Sequence, residues 1–336
     1  MIKEQLALVE HNYMISAIRL IAMLLIILCH FMQYMNLELA WWFNVGVQLF
    51  FLISGFLYGQ RKIEDVIGFY KKSFLKILVP YWIFLTVIAI LQYLYAPTVF
   101  SWGKTFLAFV CLEQLDGNEH LWFVQTILIC YLFLPLLLQI KEQITKYPFK
   151  HALISFLFVF SMVQFIGFSF NGYYMIPNRI SCFVFGIALA GYLQLKRQLK
   201  RPAIFFSFLA VLFNILRVYL LYYLGMRDNL IVSLFIKYAH GILGIALFLI
   251  LYNLLKNTRD HSVLRFSDKY SYDIYLVHQG FILGPLSLMS LTQNRMLNVI
   301  IICVCIIIAG IALKLISYPV FYMLEVISCF FRKRYT

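Results

Sequence analysis

Charge is what this sequence has least of. Of 336 residues only 12% are Asp, Glu, Lys or Arg, and just 14 are acidic. Soluble domains are about 25% charged and about 45–50% apolar. The 63% hydrophobic content here has too little polar surface to cover it, which excludes a soluble enzyme. Organised cysteine is also lacking: Cys29, Cys111, Cys130, Cys182, Cys303, Cys305 and Cys329 are scattered, with no Cys-x-x-Cys pair. That speaks against a disulfide framework and against a zinc site, and no metal is expected. Six of the seven lie in apolar runs, where cysteine behaves as a small hydrophobe. The long runs do not alternate polar with apolar residues, so a β-barrel is excluded as well. A cleavable leader is not expected, because Glu4 and Glu10 precede the first run, Arg19 lies inside it and no small-x-small site follows.

What is present is aromatic and basic. There are 33 Phe and 23 Tyr, and 28 Lys and Arg against the 14 acids give a net charge of +14. The basic residues fall between apolar runs, which points to a membrane rather than to nucleic acid. Runs of about 20 residues, enough to cross a roughly 30 Å hydrocarbon core, can be placed at 14–35, 41–59, 74–95, 121–140, 150–170, 173–193, 203–224, 230–255, 272–292 and 297–328. The expected fold is an all-α membrane protein, a polytopic bundle of about ten transmembrane helices forming one domain over 1–336 with no appended soluble domain. Residues 99–112 read as a re-entrant or interfacial helix, and Pro319 as a bend in the last span. One set of connections, with both termini, carries 19 Lys and Arg, and the opposite set only Lys104, Arg227 and Arg295. By the positive-inside rule both termini are then cytoplasmic.

Ionisable residues within the spans need a reason, since each costs roughly 2.5–3.5 kcal/mol at the bilayer centre. Snorkelling to the headgroups is the reason expected for Arg217, Lys237 and Lys314. Arg19 and His30 are different. Eleven residues of helix rise about 16 Å and return to within about 20° of the starting direction, so both side chains fall on one face of span one.

Further along the chain stand Phe50-Phe51-x-x-Ser54-Gly55-Phe56 and the basic run Lys71-Lys72 to Lys76 before Pro80-Tyr81. Glu119-His120-Leu121-Trp122-Phe123, Arg179 followed by Phe183 and Gly186, and Tyr275-Leu276-x-His278 complete the series. Arginine, ten residues and histidine, followed in order by these landmarks from residue 19 to residue 278, resemble the acyltransferase 3 family of integral membrane acyltransferases. The last span departs from it: many members carry Glu-x-Pro, whereas here Ser317 and Tyr318 precede Pro319.

The resemblance implies transfer of an acyl group, usually acetyl from acetyl-CoA, to a hydroxyl of a carbohydrate at the bacterial surface. The acceptor would be capsule, exopolysaccharide, lipopolysaccharide or a lipid-linked precursor. It implies a multi-pass protein of the bacterial cytoplasmic membrane, with acetyl-CoA as substrate and no permanently bound cofactor. Membrane lipids, acyl-CoA and a glycan are the partners expected, and no nucleic acid. A base must take the hydroxyl proton, and histidine suits the task. His30 is therefore expected as catalytic base, with Arg19 holding the donor or orienting the site. Lys71, Lys72, Lys76, Tyr81 and Ser54 are expected on the donor side. Glu119, His120, Trp122, Arg179 and His278 are expected on the acceptor side, with Glu119 orienting His120. The rival is a polysaccharide-subunit flippase without acyl-transfer chemistry. Coupled carriers usually place acids within spans, and here only Asp273 and Glu325 fall inside them, each near an end.

Overall fold

The computed structural model describes residues 13–145, 175–194 and 198–335, and among them every regular element is helical. Helix α1 spans Tyr13–Tyr34, the short α2 Ala40–Phe43, α3 Val45–Gly59, α4 Val66–Tyr95 and α5 Trp102–Phe109. A 3₁₀ turn, Glu119–Leu121, leads into α6, Trp122–Thr145. Then follow α7 (Met175–Gln194), α8 (Lys200–Val218, continuing as a π turn over Tyr219–Tyr223), α9 (Leu230–Leu255), α10 (Ser262–Ile282) and α11 (Arg295–Tyr335). Among the described residues seven helices are long and apolar enough to cross a membrane. Large apolar side chains remain exposed on α8 (Ile204, Phe208, Val211, Ile215) and on α11 (Ile300, Val304, Ile308, Leu315). Lipid-facing helices are expected to keep such faces uncovered by protein.

Several expected boundaries change. The span 150–170 lies outside the described residues. The run 272–292 is not one helix: α10 begins ten residues earlier, at Ser262, and stops at Ile282. Gly284 adopts φ +82° just before Pro285, a pairing that no α-helix continues through. Pro319, by contrast, does not end α11. The expected short helix within 99–112 is present as α5, with Ser101 Oγ accepting from Lys104 N at its start.

The contacts divide the chain into two compact units. Unit 1 comprises Met1–Ile26, Phe43–Arg61 and Lys141–Lys269, and unit 2 comprises Ile27–Trp42, Lys62–Ile140 and Tyr270–Thr336.

In unit 1, α3 and α7 meet backbone to backbone. A Cβ on Gly55 would land on the carbonyl of Phe183, and one on Gly186 would land on the carbonyl of Leu52. Small residues four apart on each helix, Gly55 and Gly59 against Gly186 and Ala190, allow this approach where the lipid solvent gives helices little hydrophobic reason to associate. Gly244 of α9 sits against Gln48, and Gln48 Nε2 hydrogen-bonds His240 within the packed interior. Arg217, expected to snorkel, is instead buried in this unit at 6% exposure.

In unit 2, Tyr81 Oη donates to Ala108 O at 2.7 Å and Trp82 Nε1 to Phe109 O at 2.9 Å, tying α5 to α4. Gln92 Nε2 reaches Asp116 O, and Lys104 forms an ion pair with Asp116. The loop before the 3₁₀ turn is pressed onto the end of α10 at two glycines. Gly117 has φ +75°, and a Cβ on either Gly117 or Gly284 would strike the other's Cα. Only glycine meets both demands, positive φ and contact without a side chain. That crossing brings residues 119–120 alongside Tyr275–Gln279.

Candidate active site

Three histidines from three helical elements of unit 2 gather in one place. His30 lies in the penultimate turn of α1, His120 in the 3₁₀ turn before α6, and His278 in α10. Their ring centroids are 4.9 Å apart for His30 and His278, 4.8 Å for His120 and His278, and 6.3 Å for His30 and His120. Tyr275 packs against two of them, edge-on to His120 at 5.3 Å and tilted against His278 at 5.4 Å.

Each ring is held by one nitrogen. His30 Nδ1 lies 2.6 Å from Gln33 Oε1, His278 Nδ1 lies 2.6 Å from Tyr275 O, and His120 Nε2 lies 3.0 Å from Leu276 O. All three partners are carbonyl oxygens, which can only accept, so the anchored nitrogen carries the hydrogen. A neutral imidazole then keeps its lone pair on the other nitrogen. For His278 that is Nε2 and for His120 it is Nδ1, and neither has a hydrogen-bond partner among the described residues. For His30 it is Nε2. His278 and His120 are buried at 0% and 4% exposure, whereas His30 is only partly covered. The accessible ring therefore stands in front of two enclosed ones, and all three offer bare acceptor nitrogens. Among the described residues no group of three or more His, Cys, Asp and Glu side chains is arranged to hold a metal ion.

A polar chain fixes His120 from outside the cluster. Glu119 Oε1 accepts from Gly117 N at 2.8 Å, and Glu119 Oε2 accepts from Gln279 Nε2 at 2.7 Å. Gln279 Oε1 in turn accepts from the backbone N–H of His120 at 3.2 Å, and Tyr275 Oη donates to His120 O at 2.8 Å. Glu119 is thus linked to His120 through Gln279 and the backbone, the contacts by which it would orient His120. Gln279 and Gln33 escaped the sequence reading, although each leaves a signal: Gln33 is one turn beyond His30, and Gln279 directly follows His278.

At these landmarks, a family description of an acyltransferase domain matches residues 12–316. The chain belongs to the acyltransferase 3 family. No curated protein and no solved structure matches it. As an acyltransferase 3 protein with multiple apolar helices, it is a multi-pass membrane acyltransferase, and the family match runs through the full series of landmarks.

The remaining expected site residues fall into different surroundings. Trp122 caps the first turn of α6 in unit 2, half-buried, its carbonyl accepting from Thr126 Oγ1 at 3.0 Å. Tyr81 is buried, with its hydroxyl already given to Ala108 O. Lys71 and Lys76 are exposed on the first turns of α4, and Lys72 stands 3.9 Å from Glu325 of α11. Three others belong to unit 1. Ser54 lies on α3 beside Gly55, and Arg179 is buried on α7. Arg19 is ion-paired with Asp268 of α10, which also accepts from Ser16 Oγ. Asp268 lies 249 residues from Arg19, and no local signal in the sequence could have paired them.

Proposed function

We propose that this acyltransferase 3 protein moves an acetyl group from cytoplasmic acetyl-CoA to a hydroxyl of a cell-surface carbohydrate, with His30 as general base. The observation that carries the reading is the histidine cluster, above all the fixed tautomer of its accessible member. With Nδ1 anchored on Gln33, His30 offers Nε2 to an incoming hydroxyl. His30 Nε2 takes the hydroxyl proton as the sugar oxygen attacks the thioester carbonyl carbon. The new C–O bond forms, the C–S bond breaks, and the departing CoA thiolate recovers the proton from His30. His278 Nε2 and His120 Nδ1 are bare acceptors that receive hydrogen bonds from the acceptor sugar's hydroxyls and orient them. Glu119, acting through Gln279, and Trp122 support this acceptor side.

Lys71, Lys72 and Lys76 serve the donor side as phosphate contacts, with Tyr81 lining it. Arg19, held by Asp268, orients the donor. The distribution of basic residues supports ten spans with both termini in the cytoplasm of a bacterial cell, which puts these lysines where acetyl-CoA is made. Acetyl is preferred because nothing in the sequence marks a tunnel for a long acyl chain.

The test is mass spectrometry of surface polysaccharides from cells with and without the gene. Loss of one acetyl group per repeat is expected on deletion. Unchanged acetylation with less polymer outside the cell would replace this reading by export. Reporter fusions at the C-terminus check the orientation, and activity on the outer face would overturn it.

A further inference from the structure

The three rings of the histidine cluster cannot satisfy one another. His278 Nε2 and His120 Nδ1 have no hydrogen-bond partner among the described residues, and His30 Nε2 is the nitrogen left over from the contact with Gln33. An unprotonated ring nitrogen accepts and does not donate, so three acceptors stand together with no donor among them. A fourth lies at the same crossing. Asn118 Oδ1 is buried without a partner and sits against α10 at Gly280, two residues past His278. The donors beside the enclosed rings are already spent: Tyr275 Oη on His120 O, and Gln279 Nε2 on Glu119 Oε2.

Nor do the segments that carry the histidines bring a cation. Residues 21–60, 105–140 and 270–294 contain no lysine or arginine. Arg19 of α1 is eleven residues from His30 and is ion-paired with Asp268. Asp273 of α10 shows the contrast. Its carboxylate is also buried without a hydrogen bond, but Lys314 Nζ of α11 stands 3.5 Å from its Oδ2. Lys314, expected to snorkel, thus meets an acid instead. A carboxylate or phosphate at the histidines would only set lone pairs against lone pairs. Hydroxyl groups, which donate without carrying charge, fit them.

Spacing narrows the choice. His278 is the ring nearer to His30, at 4.9 Å between centroids against 6.3 Å for His120. A hydroxyl oxygen sits about 2.8 Å from the nitrogen it serves, so adjacent hydroxyls of one sugar ring can reach both. His278 is enclosed and His30 only partly covered, which makes the His30 side the way in.

We infer that the acceptor is bound through two adjacent hydroxyls, one donating to His30 Nε2 and its neighbour to His278 Nε2. This deepens the function proposed above and rests on it for the transfer step alone. In that step acetyl replaces the hydrogen of the first hydroxyl, and the hydrogen leaves on the CoA thiol. An ester oxygen has no hydrogen to donate, so a diol acetylated once no longer serves both rings. Each adjacent pair is therefore acetylated once and not twice.

The experiment uses full-length protein in nanodiscs and a panel of methyl glycosides of neutral hexoses and 6-deoxyhexoses. Binding is measured without donor, and acetyl transfer with acetyl-CoA by mass spectrometry. For the glycoside bound best, each hydroxyl is replaced in turn by fluorine, which cannot donate, or by an amino group, which can. Fluorine at either of two adjacent positions should cost at least about tenfold in affinity, since sites that hydrogen-bond a substrate hydroxyl reject analogues lacking it. The amino analogues should bind nearly as well as the parent. His278→Phe keeps a ring without the nitrogen and should abolish the fluorine penalty at one of the two positions, with gel filtration and thermal unfolding checking the fold. The analogue series on wild type decides the matter even if that variant misfolds. Fluorine tolerated everywhere, a single sensitive position, or a second acetyl on the neighbouring hydroxyl would overturn the diol site while leaving acetyl transfer in place. An adjacent sensitive pair without any transfer would sink the acyltransfer reading and leave the diol site standing. Failure of every glycoside both to bind and to be acetylated would overturn the diol site as well.

Discussion

Arg19 and His30 occupy the same helix, α1, yet their environments are opposites. Arg19, in unit 1, is met by a carboxylate, and that carboxylate is met in turn by a serine hydroxyl. His30, in unit 2, is gathered with two other rings, each anchored at one nitrogen and bare at the other. A polar group whose partners are all supplied by the chain holds the chain together. Polar groups left with open acceptors in a buried place cost stability, and such a cost is retained where a substrate will supply the missing partner. Within a single helix the contrast separates a charge whose partner the chain supplies from rings that leave acceptor nitrogens open.

The hardest blow to that contrast falls on His30. His30→Ala should lower acetyl transfer by about 10²-fold or more, the low end of what a positioned base contributes. The protein should still insert normally, since an apolar residue suits that depth. Transfer at the wild-type rate, at matched membrane levels, would remove His30 as the base and turn attention to His120 or His278.

Asp268→Ala tests the other end of the comparison. It leaves Arg19, whose side chain is 21% exposed, without its carboxylate. The expected cost is about 2 kcal/mol of stability, between an exposed pair and a fully buried one. Thermal unfolding in detergent measures this, and Asp268→Ala with Arg19→Met should recover part of the loss. Arg19→Lys sharpens the point. It keeps the charge but loses the planar fork, so reduced activity with intact stability is expected if Arg19 orients the donor, and unchanged activity would leave it to the ion pair alone.

Gln279→Leu should come next in size, cutting turnover about tenfold, the order expected for losing a hydrogen bond to a charged group. The KM for acetyl-CoA should stay unchanged, because the link broken is the one that fixes His120. Adding Glu119→Ala should cost little more, since both act through one chain. Additive losses would mean that Glu119 meets the substrate independently. The smallest effect is expected from Tyr81→Phe, about 1 kcal/mol of stability for the lost hydrogen bond to Ala108. A raised KM for acetyl-CoA there would show that Tyr81 touches the donor.

Much of this fold was legible in the sequence because membrane helices announce themselves by length and hydropathy. The expected span 230–255 coincides with α9, and the run 74–95 is extended in α4 by residues 66–73, which Lys71 and Lys72 separate from the continuous apolar run. The error at 272–292 arose because Gly284-Pro285 interrupts a run that remains apolar, and hydropathy does not register a break in backbone geometry. The site was legible in pieces. His30, His120 and His278 could each be marked as polar residues in apolar surroundings, and Glu119 and Trp122 as neighbours of His120. Their spacing along the chain, 90 residues and then 158, says nothing about whether their rings meet.

The sequence by itself determined the solvent and the family: too few charges for water, apolar runs sized to a bilayer, and landmarks in acyltransferase 3 order. Tertiary structure alone decided the partnerships. It paired Arg19 with Asp268, and Lys314 with Asp273 in place of lipid headgroups. It also placed Gln279 between Glu119 and His120, and turned three histidines toward one another with a bare nitrogen each. The physical reason is range. Hydropathy and helical periodicity act over one or two turns and can be read locally. Hydrogen bonds and ion pairs act over about 3–4 Å in space, between residues that the chain separates by as many as 249 positions.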